Sequence, residues 1–132
     1  MVEKTLAEKL LVKPRNRVVV LNPPEDFDFG TWPADVAVSS ADGGDADAVI
    51  LFVHSFAELG AWRDRATAAV KYDGLLWFLY PKGTTKPKPD INRDSLWREM
   101  GTHGFTGVAI VSVDETWSAF RLRPTDAVGK VR

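Results

Sequence analysis

Four runs of apolar residues lie along the first two thirds of the chain. They cover Arg17–Asn22, Asp35–Ser39, Ala48–Val53 and Leu75–Tyr80. Continuous aliphatic and β-branched runs of this length are typical of parallel strands that are buried on both faces of a sheet. Between the first two runs, residues 25–34 are irregular, and we expect Phe27, Phe29 and Trp32 to fold back on the core.

Helical periodicity alternates with these runs. The predicted helices cover residues 1–13, the segment from Ser55 to Asp73-Gly74, and a segment that starts near Asn92 and ends at Gly101 or Gly104. Pro14 ends the first helix because its ring is incompatible with a helix interior. Ser55 and Glu58 have the spacing of a capping box, and Gly74 is suited to a left-handed cap.

Two further apolar segments, Gly107–Val113 and Thr116–Leu122, flank Asp114-Glu115 and predict a C-terminal antiparallel hairpin. Strands that alternate with helices predict an α/β three-layer sandwich with a mostly parallel sheet. Class I methyltransferase-like sheets add a hairpin of this kind, so we predict an abbreviated Rossmann-like, methyltransferase-like fold. The predicted organisation is one domain over residues 1–124 and a flexible tail over residues 125–132.

Composition narrows the class of protein. The 132 residues are 45% hydrophobic, enough for a core, and a formal charge of −1 disfavours a nucleic-acid partner. The absence of cysteine excludes disulfides and thiolate nucleophiles, and two histidines disfavour a metal site. No apolar run approaches the about 20 residues that a membrane span needs. The start of the sequence lacks a signal-peptide pattern, so we expect a cytoplasmic protein without a membrane partner.

Three segments carry a resemblance to a known family. They are Leu76–Lys82, Asp90–Glu99 and above all Val113–Ser118, which reads Val-Asp-Glu-Thr-Trp-Ser. Together they resemble the bacterial family known as domain of unknown function 3052, over a stretch from about Leu11 to about Leu122. The resemblance implies a methyltransferase-type Rossmann architecture. The family has no established reaction, and it supplies no catalytic residues to transfer.

The segment after the first strand is unsuited to a nucleotide-type cofactor. Such sites need glycines there, because the backbone approaches the cofactor closely. Here the segment Asn22–Asp26 reads Asn-Pro-Pro-Glu-Asp, and its two prolines remove two backbone donors. Ser39 and Ser40 stand where an acidic ribose-binding residue would follow the second strand. We therefore expect no S-adenosylmethionine or dinucleotide cofactor.

A lysine-rich loop precedes the third helix. Lys82, Lys86 and Lys88 lie within seven residues, and three prolines stiffen the segment. The loop leads into a helix N-terminus, where free backbone amides favour anions. It is interpreted either as a site for a phosphate, a carboxylate or a nucleic-acid backbone, or as a solvated turn.

The carboxyl ends of the predicted parallel strands form the default ligand site of an open α/β sheet. The side chains placed there are Asn22, His54, Ser55, Lys82, Asp114 and Glu115. His54 is a candidate general base and Lys82 a candidate electrostatic stabiliser. Trp117 begins the last strand beside them and is a candidate for stacking on a ligand. The alternatives stay open, because a histidine can pack locally and an Asp-Glu pair can simply make a turn.

Two function classes follow from these residues. The first is a non-enzymatic ligand-binding, partner-binding or regulatory module that holds a small anion or a protein. The absence of a nucleophile motif and of a phosphate-binding loop favours it. The second is a small enzyme that uses His54, Lys82 and Asp114, and in a less favoured version S-adenosylmethionine. A homodimer is a further expectation, because a short α/β sheet leaves an edge strand to cover.

Overall fold

The structure is a computed structural model that describes residues 4–40, 44–85 and 88–128. Within these ranges the strands are β1 (Arg17–Leu21), β2 (Ala37–Ser39), β3 (Ala46–Phe52), β4 (Val70–Pro81), β5 (Phe105–Ser112) and β6 (Trp117–Pro124). The helices are α1 (Leu6–Lys9), α2 (Phe56–Ala69), α3 (Arg93–Gly101) and α4 (Thr125–Val128). None of these helices is long and apolar enough to cross a membrane.

The six strands form one sheet in the order β2-β1-β3-β4-β6-β5. The first four are parallel, and β6 and β5 are antiparallel to their neighbours. After β1 the chain forms β2 on one side of that strand, and it then crosses to form β3 on the other side of β1. This reversal between β1 and β3 creates a crevice at their carboxyl ends. The predicted α/β fold, with its mostly parallel sheet and C-terminal hairpin, is confirmed.

One face of the sheet packs against α2 and α3. Alternate strand residues such as Val19, Val49 and Leu76 point to this side, as the two-residue period of a strand requires. They meet Leu59 of α2 and Leu96 of α3, both fully buried. This half of the core is therefore a conventional sheet-on-helix layer.

The opposite face has a much thinner covering. Its strand residues include Val18, Ile50 and Trp77, which pack against the single turn of α1. The rest of the layer is the irregular segment 22–36, whose aromatic side chains contact the end of β3. The predicted folding back of these aromatic residues is confirmed, and Phe27 lies edge-on to Phe52 with 4.9 Å between ring centroids.

Two predicted helices are longer than the observed ones. The helix predicted over residues 1–13 is only α1, because Leu11 has a left-handed φ of 66° and breaks it. Residues 1–3 lie outside the described residues. Helix α2 ends at Ala69 instead of Gly74, because Val70 already pairs with Ala46 in the sheet. Gly74 is therefore not a helix cap.

The C-terminal segment is also different from its prediction. The sequence predicted a flexible tail from residue 125, but Thr125–Val128 is a short helix attached to the domain. The amide of Thr125 donates to the carbonyl of Gly104 at 2.9 Å, and the Tyr72 hydroxyl donates to Asp126 at 2.8 Å. These backbone and side-chain hydrogen bonds connect the short helix to β4 and to the residue that precedes β5. Residues 129–132 lie outside the described part of the chain.

Candidate functional site

Asn22 bridges the crevice between the ends of β1 and β3. Its φ of 56° lies in the left-handed region, which asparagine tolerates better than most residues. The side-chain amide donates to the carbonyl of Phe52 at 2.8 Å and to Glu58 Oε1 at 3.0 Å. The amide therefore ties β1 to both the last residue of β3 and the first turn of α2.

Glu58 is the centre of this network. Its Oε1 accepts hydrogen bonds from Asn22, from the backbone amide of His54 at 2.8 Å and from His54 Nδ1 at 3.0 Å. Burial raises the pKa of the Glu58 carboxyl, but the hydrogen bonds from His54 and Asn22 lower the pKa by more, so it lies below its ordinary value. At neutral pH the group is a carboxylate.

The predicted capping box at the start of α2 is half correct. Ser55 Oγ accepts from the backbone amide of Glu58 at 3.2 Å, as an N-cap does. The carboxylate of Glu58, however, bonds to the amide of His54 rather than to that of Ser55. Sequence reasoning therefore missed the main role of Glu58. The sequence feature that could have revealed the contact is the spacing of four residues between His54 and Glu58 at the start of a helix.

The imidazole of His54 is held from two sides. Its Nδ1 donates to the Glu58 carboxylate, and the Trp117 ring lies edge-on to the imidazole with 5.0 Å between ring centroids. Because a carboxylate only accepts, Nδ1 carries the hydrogen, and Nε2 of the neutral ring is left as an acceptor. The His54 side chain is 49% exposed, so that acceptor is accessible. Trp117 itself is 6% exposed, so it positions His54 instead of offering the ligand-stacking surface that was predicted.

An open cleft of about 410 Å³ lies beside His54, and we call it the rim cleft. Its lining residues are His54, Ser55, Pro81, Thr85, Lys88, Pro89 and Asp90. Asp90 Oδ1 accepts from the backbone amide of Phe56 at 2.8 Å, so this carboxylate already neutralises the N-terminus of α2. The cationic group that the described lining contributes is therefore Lys88.

The lysine loop separates into parts with different roles. Lys82 supports the β5–β6 turn, because its amide donates to the carbonyl of Thr116 at 2.7 Å and its Nζ donates to Ser112 Oγ at 2.7 Å. Lys88 lines the rim cleft. Lys86 lies outside the described residues. Lys82 does not line the rim cleft, and its role as an electrostatic stabiliser beside His54 stays a prediction.

Asp114 and Glu115 occupy the turn between β5 and β6. Asp114 Oδ1 accepts from the amides of Thr116 and Trp117, each at 2.8 Å, which closes the turn. Glu115 is exposed in the same turn. The carboxylate that His54 contacts is Glu58, and a catalytic role for His54, Lys82 and Asp114 together stays a prediction. Among the described residues, no three carboxylate or histidine side chains come together as a metal site.

The residues after β1 do not fit a dinucleotide or S-adenosyl cofactor. In sheets that bind such groups, a glycine turn follows the first strand and a helix N-terminus receives the cofactor. Here the described segment 22–36 contains no helix. The Asn22 amide and the aromatic residues on Phe52 fill the space above β1 and β3.

Comparisons with known proteins agree at the level of the fold. No protein-family model and no curated sequence matches the chain. A protein of the NADB-Rossmann superfamily from Streptococcus agalactiae is 12% identical with a TM-score of 0.50, covering 94% of this chain and 69% of its own. The fold is Rossmann-like. Membership of the family that the sequence resembles stays a prediction.

Two solved methyltransferases are also similar in structure. The antibiotic-resistance methyltransferase Kmr is 13% identical with a TM-score of 0.49, covering 93% of this chain and 95% of that one. A 16S rRNA (adenine(1408)-N(1))-methyltransferase from Catenulisporales acidiphilia is 12% identical with a TM-score of 0.48, covering 90% and 89%. At these values the comparison concerns architecture and transfers no activity.

The pKa of Glu58 leads to a test of the network. A group whose pKa is lower in the folded chain than in the unfolded chain stabilises the fold at pH values above its unfolded pKa, which is 4.5 for Glu58. This stabilisation is lost as the pH falls through the pKa of the folded chain. We expect Glu58→Gln to lower the melting temperature at neutral pH and to have a smaller effect near about pH 3. Thermal unfolding of both proteins across this range measures it. A difference that is independent of pH would contradict the assignment.

Proposed function

We propose that this protein is a ligand-binding or regulatory module that binds a small anionic molecule in the rim cleft. The observation that supports the proposal is the fixed imidazole of His54. The ring nitrogen Nδ1 donates to the Glu58 carboxylate, and the other ring nitrogen, Nε2, is left beside the cleft. An oriented polar group in a concave site is the usual anchor for a small ligand.

The lining favours a ligand with three properties. A hydroxyl or N–H group would donate to His54 Nε2, and a carboxylate or phosphate would pair with the Lys88 ammonium. Pro81 and Pro89 would contact the apolar body of the molecule. A volume of about 410 Å³ limits the bound part to a small molecule.

The first experiment is a thermal-shift panel of nucleotides, sugar phosphates, small carboxylates and S-adenosyl compounds. A compound at about 100 times its dissociation constant stabilises the protein by about 2.7 kcal/mol, which raises the melting temperature of a domain of this size measurably. A hit with a small anion supports the proposal. A hit confined to S-adenosyl compounds, or no hit at all, contradicts it; the latter outcome favours a protein partner.

Two substitutions locate the bound compound. His54→Ala and Lys88→Ala should each weaken binding about tenfold or more by calorimetry, because each removes one polar contact. His103→Ala is the matched control. His103 also pairs with a glutamate four residues away, Glu99 at 3.2 Å, but it lies outside the cleft. Equal affinities for all three variants would place the ligand elsewhere.

A second candidate is a small enzyme with His54 as general base. The orientation of His54 by Glu58 favours it, because a carboxylate that accepts at Nδ1 leaves Nε2 ready to take a proton. His54→Gln separates the two functions, since glutamine can accept a hydrogen bond but cannot take up a proton at neutral pH. Loss of turnover with retained binding would identify an enzyme, and binding without turnover in the wild type would identify a binding module.

A further inference from the structure

The outer edge of β5 differs from the edges that proteins usually leave exposed. Its eight residues, Phe105–Ser112, contain no charged residue and no proline. Within the described ranges, β5 pairs with β6 alone. The opposite edge, β2, is only three residues long. Natural sheets protect open edges with short strands, charges or prolines, so β2 is protected by its length and β5 has the features of a covered edge.

The helix above this edge continues its apolar surface. Val108 is 38% exposed, Ile110 43% and Trp97 of α3 51%. Glu99 lies on the flank of α3 that faces α2, where it accepts from Arg63 at 3.0 Å. Trp97 lies on the other flank, one turn after Arg93. We call Arg93, Asp94, Trp97, Val108 and Ile110 the β5–α3 surface.

We propose that the β5–α3 surface binds a second copy of this chain, through antiparallel pairing of β5 with its counterpart. The register of β5 with β6 shifts between Gly107 and Ala109, and regular pairing continues to Ser112. A new ladder on this regular part is centred near Ile110. An antiparallel pair of identical strands has two-fold symmetry, so each residue contacts the same surface of the other copy.

Charge complementarity favours this occupant. Arg93, Asp94 and Ile110 line one hollow of about 360 Å³, so the two charged residues lie beside the centre of the proposed ladder. Within one copy Arg93 Nε donates to Asp94 Oδ1 at 3.4 Å, and both side chains stay more than half exposed. A two-fold axis near Ile110 brings this exposed ion pair close to its counterpart, so that each guanidinium can also contact the carboxylate of the other copy. The uncharged strand between them adds no buried charge that would oppose the contact.

The same geometry predicts a closed dimer instead of a fibre. Head-to-tail addition would require β5 of one copy to pair with β2 of the next. The three residues of β2 offer too short a ladder for the eight residues of β5. Pairing of like edges covers β5 in both copies, and the sheet of the dimer then ends in the short strand β2 on each side.

Sedimentation velocity of the full chain over the micromolar range tests the proposal. We expect a dimer for the wild type, and a dissociation constant raised about 30-fold or more for Ile110→Lys, because lysine would bring two like charges together at the axis. Val38→Lys is the matched control, since Val38 is 47% exposed on the opposite edge β2. We expect this variant to remain dimeric.

A charge exchange on α3 gives a second measurement that leaves the strand unchanged. Asp94→Arg should weaken the dimer by placing like charges across the axis, and Arg93→Glu combined with Asp94→Arg should restore it. Melting temperatures report whether each variant folds. A wild type that is monomeric at all concentrations would overturn the proposal, and so would a dimer that none of these substitutions weakens.

Discussion

Replacing Trp77 with alanine is expected to lower the free energy of unfolding by about 3–5 kcal/mol. Trp77 lies at the centre of β4 with 1% of its surface exposed, and its indole Nε1 donates to the carbonyl of Leu10 at 2.9 Å. The substitution leaves a cavity on the thinly covered face of the sheet and an unpaired carbonyl. Urea denaturation followed by far-ultraviolet circular dichroism measures the loss.

The size of this effect has a structural reason. Domains have total stabilities of about 5–15 kcal/mol, so Trp77→Ala brings the protein close to unfolding. Trp77→Phe is the matched variant, because it keeps a large ring but loses the bond to Leu10; we expect a smaller loss. If alanine costs less than about 1.5 kcal/mol, the α1 layer does not contribute to the core as described.

Gly107→Ala is expected to destabilise the protein by about 2–3 kcal/mol. A Cβ at Gly107 would lie 2.1 Å from Cζ of Phe120, whose side chain is 2% exposed and enclosed by the core. Because the Phe120 ring packs in the core beside α2 and α3, the ring, the strand or the neighbouring core residues must shift. Chemical denaturation measures the change.

Gly60→Ala is the matched control for this substitution. Gly60 lies within α2, and an added Cβ meets no atom within 4 Å. Because alanine favours the helix, we expect it to stabilise the protein by about 0.5–1 kcal/mol. The opposite signs of the two glycine substitutions distinguish a steric effect in β5 from a general effect of added methyl groups. Destabilisation by both would contradict the close approach at Gly107.

Local patterns predicted the elements more accurately than their ends. The runs around Val19, Val49 and Leu76 are strands, because continuous apolar residues are stable only when both faces of a strand are covered. The end of α2 was predicted wrongly at Gly74, since pairing of Val70 with Ala46 replaces the last helical turn. A long-range hydrogen-bond ladder overrides local helix propensity.

The candidate site shows the same limit. Periodicity placed Asn22 and His54 at the carboxyl edge, and both residues lie there in the structure. It also placed Asp114 there, and the alternative interpretation of this residue as part of a turn is confirmed. The partner of His54 is Glu58. Its position in the sequence fits a capping box, and that local role gave no reason to look for a second one. Side chains that satisfy one local rule can bond elsewhere when tertiary structure offers another donor.

The sequence by itself determined the α/β architecture and the mostly parallel sheet with its closing hairpin. These features depend on residue periodicity and backbone chemistry, which act over a few positions. Only the tertiary structure decided that Glu58 orients His54, that Lys82 and Asp114 support a turn, and that β5 pairs with β6 alone in the part of the chain that the structure describes. Those assignments depend on which distant groups meet, and hydrogen-bond partners are selected by three-dimensional distance rather than by sequence spacing.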